Sequence, residues 1–185
     1  MTRSDHRSGS DRVMEVVESE GWPEDEIVLN VQGDEPLIPS AVLDQLVETL
    51  AADPGLDSAT LCEPLNDYED LIDPNLVKVV RDARGRALYF SRAAIPHDRE
   101  RFPTPGTLPT GLWWRHIGVY AYRVRALRRF VDLPMGELES VEKLEQLRLL
   151  ENGLTMQVEA SRRPVPGGVD TEQDLYRVRD LFREA

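Results

Sequence analysis

Apolar positions along this chain fall in short blocks whose spacing switches between helical and strand-like. Residues 11–20 place Val13, Val16 and Val17 on one side of a short amphipathic helix. Ile27, Val28 and Leu29 centre an apolar run over residues 26–31, bounded by Pro23 and Gly33 and too short for a helix. Pro39 suits a first helical turn, and Val42, Leu43, Leu46, Val47 and Leu50 follow at helical spacing until Pro54-Gly55. Residues 57–62 read as a second strand. Residues 77–80 and 87–90 flank Asp82-Ala83-Arg84-Gly85-Arg86, and a glycine turn between two β-rich runs predicts a hairpin. Residues 96–111 carry Pro96, Pro103, Pro105, Gly106, Pro109 and Gly111, an irregular loop long enough for a flexible lid or an interface arm. Residues 116–122 alternate as a strand. Residues 124–131 and 137–150 are helical, the latter ending at Asn152-Gly153. A strand over 155–158 and a helix over 171–183 close the pattern.

Strands alternating with helices predict an α/β fold with a mixed, mainly parallel sheet, flanking helices and a β-hairpin subregion. No repeat, low-complexity tract or linker divides residues 1–185, so one domain is expected. An α/β domain opens more naturally on a strand followed by a ligand-binding loop. This chain opens on a loop and a helix, which hints at truncation.

Composition narrows the partners. Acidic residues number 34 and basic residues 22, a net charge of −12, so the chain as a whole repels nucleic acid. An anionic substrate would need local arginines and a bridging divalent cation. Lys78 and Lys143 are the only lysines; the arginine bias is compatible with anion recognition, but composition alone points first to an arginine-rich genome. Cys62 is the only cysteine, which excludes an internal disulfide and a cysteine-rich zinc cluster and fits a reducing cytoplasm. No apolar run is long enough to span a bilayer, and the polar start Met1-Thr2-Arg3-Ser4-Asp5-His6 lacks the apolar core of a secretory signal.

Several side chains could carry chemistry. Gln32-Gly33-Asp34-Glu35-Pro36 follows a buried strand, where open α/β sheets bind ligands. Asp34 offers a hard oxygen for magnesium, which needs one or two protein carboxylates beside substrate phosphates, or it belongs to an ordinary polar turn. Asp170 with Gln173 fits a capping box for the last helix, and Gly167-Gly168 would also let that carboxylate approach a metal. In residues 138–148, Leu138, Val141, Leu144 and Leu147 form an apolar stripe. Glu145 and Gln146 flank it, either solvated or projecting into a cleft. Strand alternation puts His116, Gly118 and Tyr120 on one face, the floor of a polar site or a structural cluster. Arg92 could clamp a carboxylate or lie on the surface.

Six motifs, in this order, resemble the CMP-KDO synthetases, KDO being 3-deoxy-D-manno-octulosonate. They are Asp5-His6-Arg7-Ser8-Gly9-Ser10-Asp11-Arg12, Asn30-Val31-Gln32-Gly33-Asp34-Glu35-Pro36, Tyr89-Phe90-Ser91-Arg92-Ala93-Ala94-Ile95-Pro96, Arg115-His116-Ile117-Gly118-Val119-Tyr120, Leu144-Glu145-Gln146-Leu147-Arg148 and Gly168-Val169-Asp170-Thr171. The resemblance implies a nucleotide-diphospho-sugar transferase, Rossmann-like fold and a magnesium-dependent transfer of CMP from CTP to KDO for lipopolysaccharide synthesis. It implies a homodimer. Asp34 and Asp170 would hold magnesium and be catalytic. Gln32, Arg92, His116, Tyr120, Glu145 and Gln146 would contact KDO, and Ser8, Gly9 and Arg12 would lie beside the nucleotide. Ser10 stands where the family usually has threonine. The family opens on a strand and a basic loop of the type Pro-Ala-Arg-x-x-Ser-x-Arg-Leu-Pro-Gly-Lys, and nothing before Met1 here matches it. The 185 residues are therefore expected to bind triphosphate weakly and transfer little CMP. The resemblance leaves open a non-catalytic pairing subunit or a related acceptor such as 8-amino-KDO.

Overall fold

The computed structural model describes residues 1–185 except Arg7, Thr110, Asp170 and Ala185. In chain order the elements are α1 (Gly9–Glu20), β1 (Ile27–Asn30), α2 (Ser40–Ala52), β2 (Ser58–Pro64), α3 (Tyr68–Ile72), β3 (Lys78–Arg81), β4 (Ala87–Ser91), β5 (Trp114–Arg123), α4 (Val124–Asp132), α5 (Glu137–Glu142), α6 (Gln146–Glu151), β6 (Met156–Ala160) and α7 (Glu172–Glu184). No helix among the described residues is long and apolar enough to cross a membrane.

The strands form one sheet in the order β4-β3-β5-β2-β6, with β1 also paired to β5. The sheet is mixed as expected, but its balance differs from the mainly parallel one. β5 runs against β1, β2 and β3, and among the described residues only β2 and β6 pair in parallel. The reason lies in β5, which enters the middle of the sheet from the opposite end and makes most direct ladders antiparallel. The hairpin stands: Val79 faces Phe90 and Val80 faces Tyr89 across the β3–β4 turn.

Alternation along β1 and β5 sends side chains into two cores. Ile117, Val119 and Ala121 of β5 join Val42, Leu46 and Leu50 of α2 on one face. Tyr120 and Tyr122 meet Met14 and Val17 of α1, Leu127 and Phe130 of α4 and Leu147 and Leu149 of α6 on the other. Helix α1 buries Met14 and Val17 and packs Val13 partly against the same core, so Met14 rather than Val16 completes its inner face. Gly21 in the left-handed region (φ 66°) ends it, its amide donating to Glu18.

Two expectations are corrected. Residues 96–111 are not a free lid. Phe102 and Leu108 pack on a third cluster built from Leu65, Leu71 and Trp113, and Trp113 Nε1 donates to the Pro96 carbonyl at 2.9 Å. Residues 137–150 are not one helix. The backbone breaks at Lys143, whose φ of 57° is the only positive value at a non-glycine residue among those described. The break dissolves the expected stripe: Leu144 and Leu147 are buried, whereas Leu138 and Val141 are exposed. No glycine or proline marks this turn, so a helical period ran through it. Tertiary contacts hold it instead: Arg148 of α6 makes two bonds to Glu139 of α5, at 2.7 and 2.5 Å, and the Leu138 amide donates to Glu151 at 3.0 Å.

Candidate active site

The carboxyl end of β1, the start of α1, the middle of β5, the α5–α6 turn and residues 165–168 surround a cleft of about 980 Å³. Gln32, Asp34, Arg92, His116, Tyr120, Glu145, Gln146, Gly9 and Arg12 all line it. Ser8 does not; it caps α1, accepting from the Asp11 amide at 3.2 Å. Asp170 lies outside the described residues.

One wall is the turn after β1. The Glu35 amide donates to the Gln32 carbonyl at 3.1 Å, which folds residues 32–35 tightly and exposes Gln32 and Asp34. Gly33 has no positive φ, and a Cβ there would meet nothing, so this glycine leaves room beside Asp34 rather than making the turn possible. Gly168 is different: a Cβ on it would come within 3.0 Å of the Asp34 carbonyl and 3.1 Å of a Glu35 carboxylate oxygen. That close approach lets the Val169 amide donate to the Asp34 carbonyl at 2.8 Å. Two separate segments are thus stapled beside Asp34.

The described residues contain no group of three or more metal-ligating side chains. Asp34, an exposed hard-oxygen ligand on a cleft wall with an open flank, nevertheless fits magnesium, which takes few protein ligands when substrate phosphates complete its shell.

The floor is the β5 face. His116, Gly118 and Tyr120 share it as the alternation predicts. A Cβ on Gly118 would meet no atom, so the floor stays open between the ring residues. The His116 ring stands edge-on to Phe90, centroids 4.8 Å apart, and lies 5.4 Å from Tyr120. Burial pulls the imidazole down to about 3 and pushes the Tyr120 hydroxyl up, so both are uncharged at neutral pH. Because the folded-state value of His116 lies below its ordinary 6.5, its neutral form favours folding fully above about pH 6.5. That contribution is lost as pH falls toward about 3, at no more than about 1.4 kcal/mol per pH unit. Melting temperature should therefore fall across this window in the wild type and fall less steeply in His116→Gln. Parallel curves would remove His116 as the source.

The opposite wall is the α5–α6 turn. The left-handed Lys143 swings Glu145 and Gln146 off the helix line and into the cleft. Burial raises the Glu145 carboxyl, against the opposing pull of Ser8, Arg148 and Ser10, and Ser10 Oγ donates to it at 3.3 Å. Glu142 ties this wall to β4, accepting from Ser91 Oγ at 2.6 Å and from the Arg92 amide at 3.0 Å. Arg92 itself is largely committed. Its Nε donates to the Glu142 carbonyl and its Nη1 to the Pro74 carbonyl, both at 2.9 Å, leaving Nη2 without a hydrogen bond among the described residues. The expected carboxylate clamp is thus first a cross-link between three segments.

Sequence reasoning passed over Lys143, Arg115 and Thr60. Lys143 lines the cleft beside Glu145. Arg115 also lines it while gripping Glu63 at 3.0 and 2.6 Å and the Val165 carbonyl at 2.6 Å, which fixes the approach of residues 165–168. Thr60 lies under the floor, bonded to His116. Arg115 opened a noticed motif and Lys143 sat beside one, but nothing in spacing told their roles; Thr60 had no signal at all.

A neutral donor–acceptor floor, a carboxylate and an amide on one wall, a magnesium-type aspartate on the other and arginines at the rim suit a polyhydroxylated anion meeting a nucleotide. The cytidylyltransferase family profile matches residues 1–159. The 3-deoxy-manno-octulosonate cytidylyltransferase of Alcanivorax borkumensis is 52% identical over 180 residues, covering 97% of this chain and 72% of the relative. Its counterpart in Cellvibrio japonicus is 53% identical over 185 residues, covering 98% of this chain and 72% of the relative. A solved CMP:2-keto-3-deoxy-manno-octonic acid synthetase, complexed with CTP, superposes with a TM-score of 0.85 at 39% identity, over all of this chain and 71% of that one. A 4-diphosphocytidyl-2C-methyl-D-erythritol synthase, at TM-score 0.56 and 15% identity, shares the fold alone.

Proposed function

Because the chain belongs to the cytidylyltransferase family, alongside the 3-deoxy-manno-octulosonate cytidylyltransferases, we propose that its cleft transfers CMP from CTP to KDO. The product is the activated sugar acid for lipopolysaccharide synthesis. The observation that carries the reading is the convergence on one cleft of Gln32 and Asp34 after β1, Gly9 and Arg12 of α1, Arg92 after β4, His116 and Tyr120 of β5 and Glu145 and Gln146 of the α5–α6 turn.

In this reading the KDO 2-hydroxyl oxygen bonds to the α-phosphorus of CTP. The bond from that phosphorus to the β-phosphate bridging oxygen breaks, pyrophosphate leaves and the hydroxyl gives up its proton. Glu145, Gln146, Gln32, His116 and Tyr120 orient the sugar through hydrogen bonds to its hydroxyls. Nη2 of Arg92 faces the sugar carboxylate. The start of α1, with Gly9 and Arg12 beyond the Ser8 cap, borders the nucleotide, where helix amides favour an anion. Asp34 and Asp170 would hold magnesium, which would neutralise phosphate charge and help ionise the attacking hydroxyl. Position and electrostatics do most of such catalysis. The same family ground supports a cytoplasmic homodimer.

A second reading is a subunit that binds the sugar acid but does not transfer. One experiment separates the two. KDO binding is measured by calorimetry, and pyrophosphate release from CTP, KDO and Mg²⁺ is followed for the chain and for a chimera carrying the basic loop described above. Release that requires KDO and Mg²⁺ in either form supports the enzyme. Binding without release in both forms favours the second reading, and no KDO binding sinks both.

A further inference from the structure

We propose that Thr60 is a positioning residue that fixes His116 as the tautomer protonated at Nε2, so that His116 offers a bare Nδ1 acceptor to a hydroxyl of the sugar acid. The ligand half of this proposal rests on the substrate reading above; the tautomer half does not.

Thr60 is wholly buried on β2. Its Oγ1 lies 3.0 Å from the Ile117 carbonyl, 2.8 Å from the Val119 carbonyl and 2.9 Å from His116 Nε2. A hydroxyl owns one proton, and a carbonyl can only accept. Spending that proton on a carbonyl leaves the hydroxyl only lone pairs to turn toward His116, so the imidazole must donate from Nε2. In the reverse arrangement, with the hydroxyl donating to a bare Nε2, both carbonyls lose this donor while lying against its oxygen in a buried place. Two carbonyl oxygens would then lie 3.0 and 2.8 Å from a hydroxyl oxygen with no proton between either pair, a repulsive contact that the proton on Oγ1 relieves when it points at a carbonyl.

The backbone explains why this triad forms. Pairing between β2 and β5 passes from Thr60 opposite Tyr120 to Leu61 opposite Ile117, so Gly118 and Val119 have no partner residue on β2. Such bulges re-aim side chains beside functional sites. Here the bulge brings two β5 carbonyls onto one hydroxyl, and the His116 side chain comes with them.

The other ring nitrogen is the one left for a ligand. Nδ1 has no hydrogen-bond partner among the described residues, and it is not a sealed, unsatisfied atom; that condition is met only by Arg123 Nε. It belongs to a side chain that lines the cleft. Burial also disfavours the imidazolium, which would carry a proton at both nitrogens. A bare Nδ1 accepts from O–H or N–H and repels carboxylate and phosphate oxygens. His116 therefore reads the polyol part of the acceptor, while the acid group goes to the Arg92 guanidinium.

The test is a two-bond proton–nitrogen correlation spectrum of the ¹⁵N-labelled chain at pH 7, with the three histidines assigned through His116→Gln. The expected pattern for His116 is a protonated, pyrrole-type Nε2 and a bare, pyridine-type Nδ1. A proton on Nδ1, or an imidazolium, overturns the assignment of Thr60 even if no variant folds. Thr60→Val keeps the shape without the acceptor. It should mix the tautomers and weaken KDO binding about tenfold by calorimetry, of the order a lost hydrogen bond gives. Thr60→Ser should restore both. Full KDO affinity in a folded Thr60→Val with mixed tautomers overturns the ligand half. No KDO binding by the wild type overturns the substrate reading and that half with it, and the spectrum still judges Thr60.

Discussion

Asp34→Asn should lower pyrophosphate release on the order of 100-fold or more at limiting Mg²⁺ while leaving the melting temperature nearly unchanged; the size follows what losing one key charge-stabilising group costs such catalysis. The two halves of this expectation have separate physical origins. Asp34 is exposed on the cleft wall, and an isosteric change at an exposed site moves stability by no more than about 0.5 kcal/mol. The staple from Val169 ends on the Asp34 carbonyl, not on its carboxylate, so an amide side chain leaves residues 165–169 in place. What asparagine removes is the negative charge, and a neutral amide is a much weaker partner for a hard dication. Excess Mg²⁺ should therefore recover part of the lost rate, with the half-saturating Mg²⁺ concentration displaced upward. The measurement is a magnesium titration of initial rate, in whichever form of the chain turns over, beside a thermal melt. A folded Asp34→Asn protein with normal turnover at limiting Mg²⁺ would sink the metal role.

How much of this was legible in the sequence varies with the range of the forces involved. Elements dictated by local period were readable: β1 from Ile27-Val28-Leu29, α2 from its Val42-Leu46-Leu50 spacing, and the β3–β4 hairpin from its glycine turn. The shared face of His116 and Tyr120 followed from strand alternation. What could not be read depends on contacts distant in sequence. α3 is only five residues long and carries too little pattern to stand out. The loop over residues 96–111 looked free because its anchors, Leu65 and Leu71, come from far up the chain. Lys143 takes a left-handed backbone that lysine disfavours on its own. Its turn is set by bonds between α5 and α6, so a continuous helix was the reasonable local reading. Motif resemblance placed Glu145 and Gln146 at the site where periodicity could not. It gave Arg92 to a ligand where the structure spends most of that guanidinium on two carbonyls.

Arg148→Leu should destabilise the protein by about 3–5 kcal/mol, the usual cost of leaving a buried charge without its partner. Glu139 is 4% exposed and Arg148 meets it through two bonds, Nε at 2.7 Å and Nη2 at 2.5 Å. The guanidinium also lies 4.8 Å over the Phe130 ring, so it joins α5 and α6 to α4. For a chain of this length the loss corresponds to a fall in melting temperature on the order of 10 °C. The same pair spans the Lys143 turn that points Glu145 and Gln146 into the cleft, so the acceptor side of the site should loosen as well. KDO affinity should drop even at temperatures where the variant stays folded. The double variant Glu139→Met/Arg148→Leu distinguishes a stranded charge from a lost fold-specifying contact. It removes the unpaired carboxylate and fills the space with apolar atoms, so most of the stability should return. KDO affinity should not return with it, because apolar packing does not hold the left-handed turn in one geometry as two directed bonds do. Thermal melts and KDO calorimetry on the wild type, the single variant and the double variant decide this. Recovery of both properties in the double variant would show that the ion pair stabilises α5 and α6 without orienting the cleft wall, and a single variant that melts like the wild type would remove the pair from the core altogether.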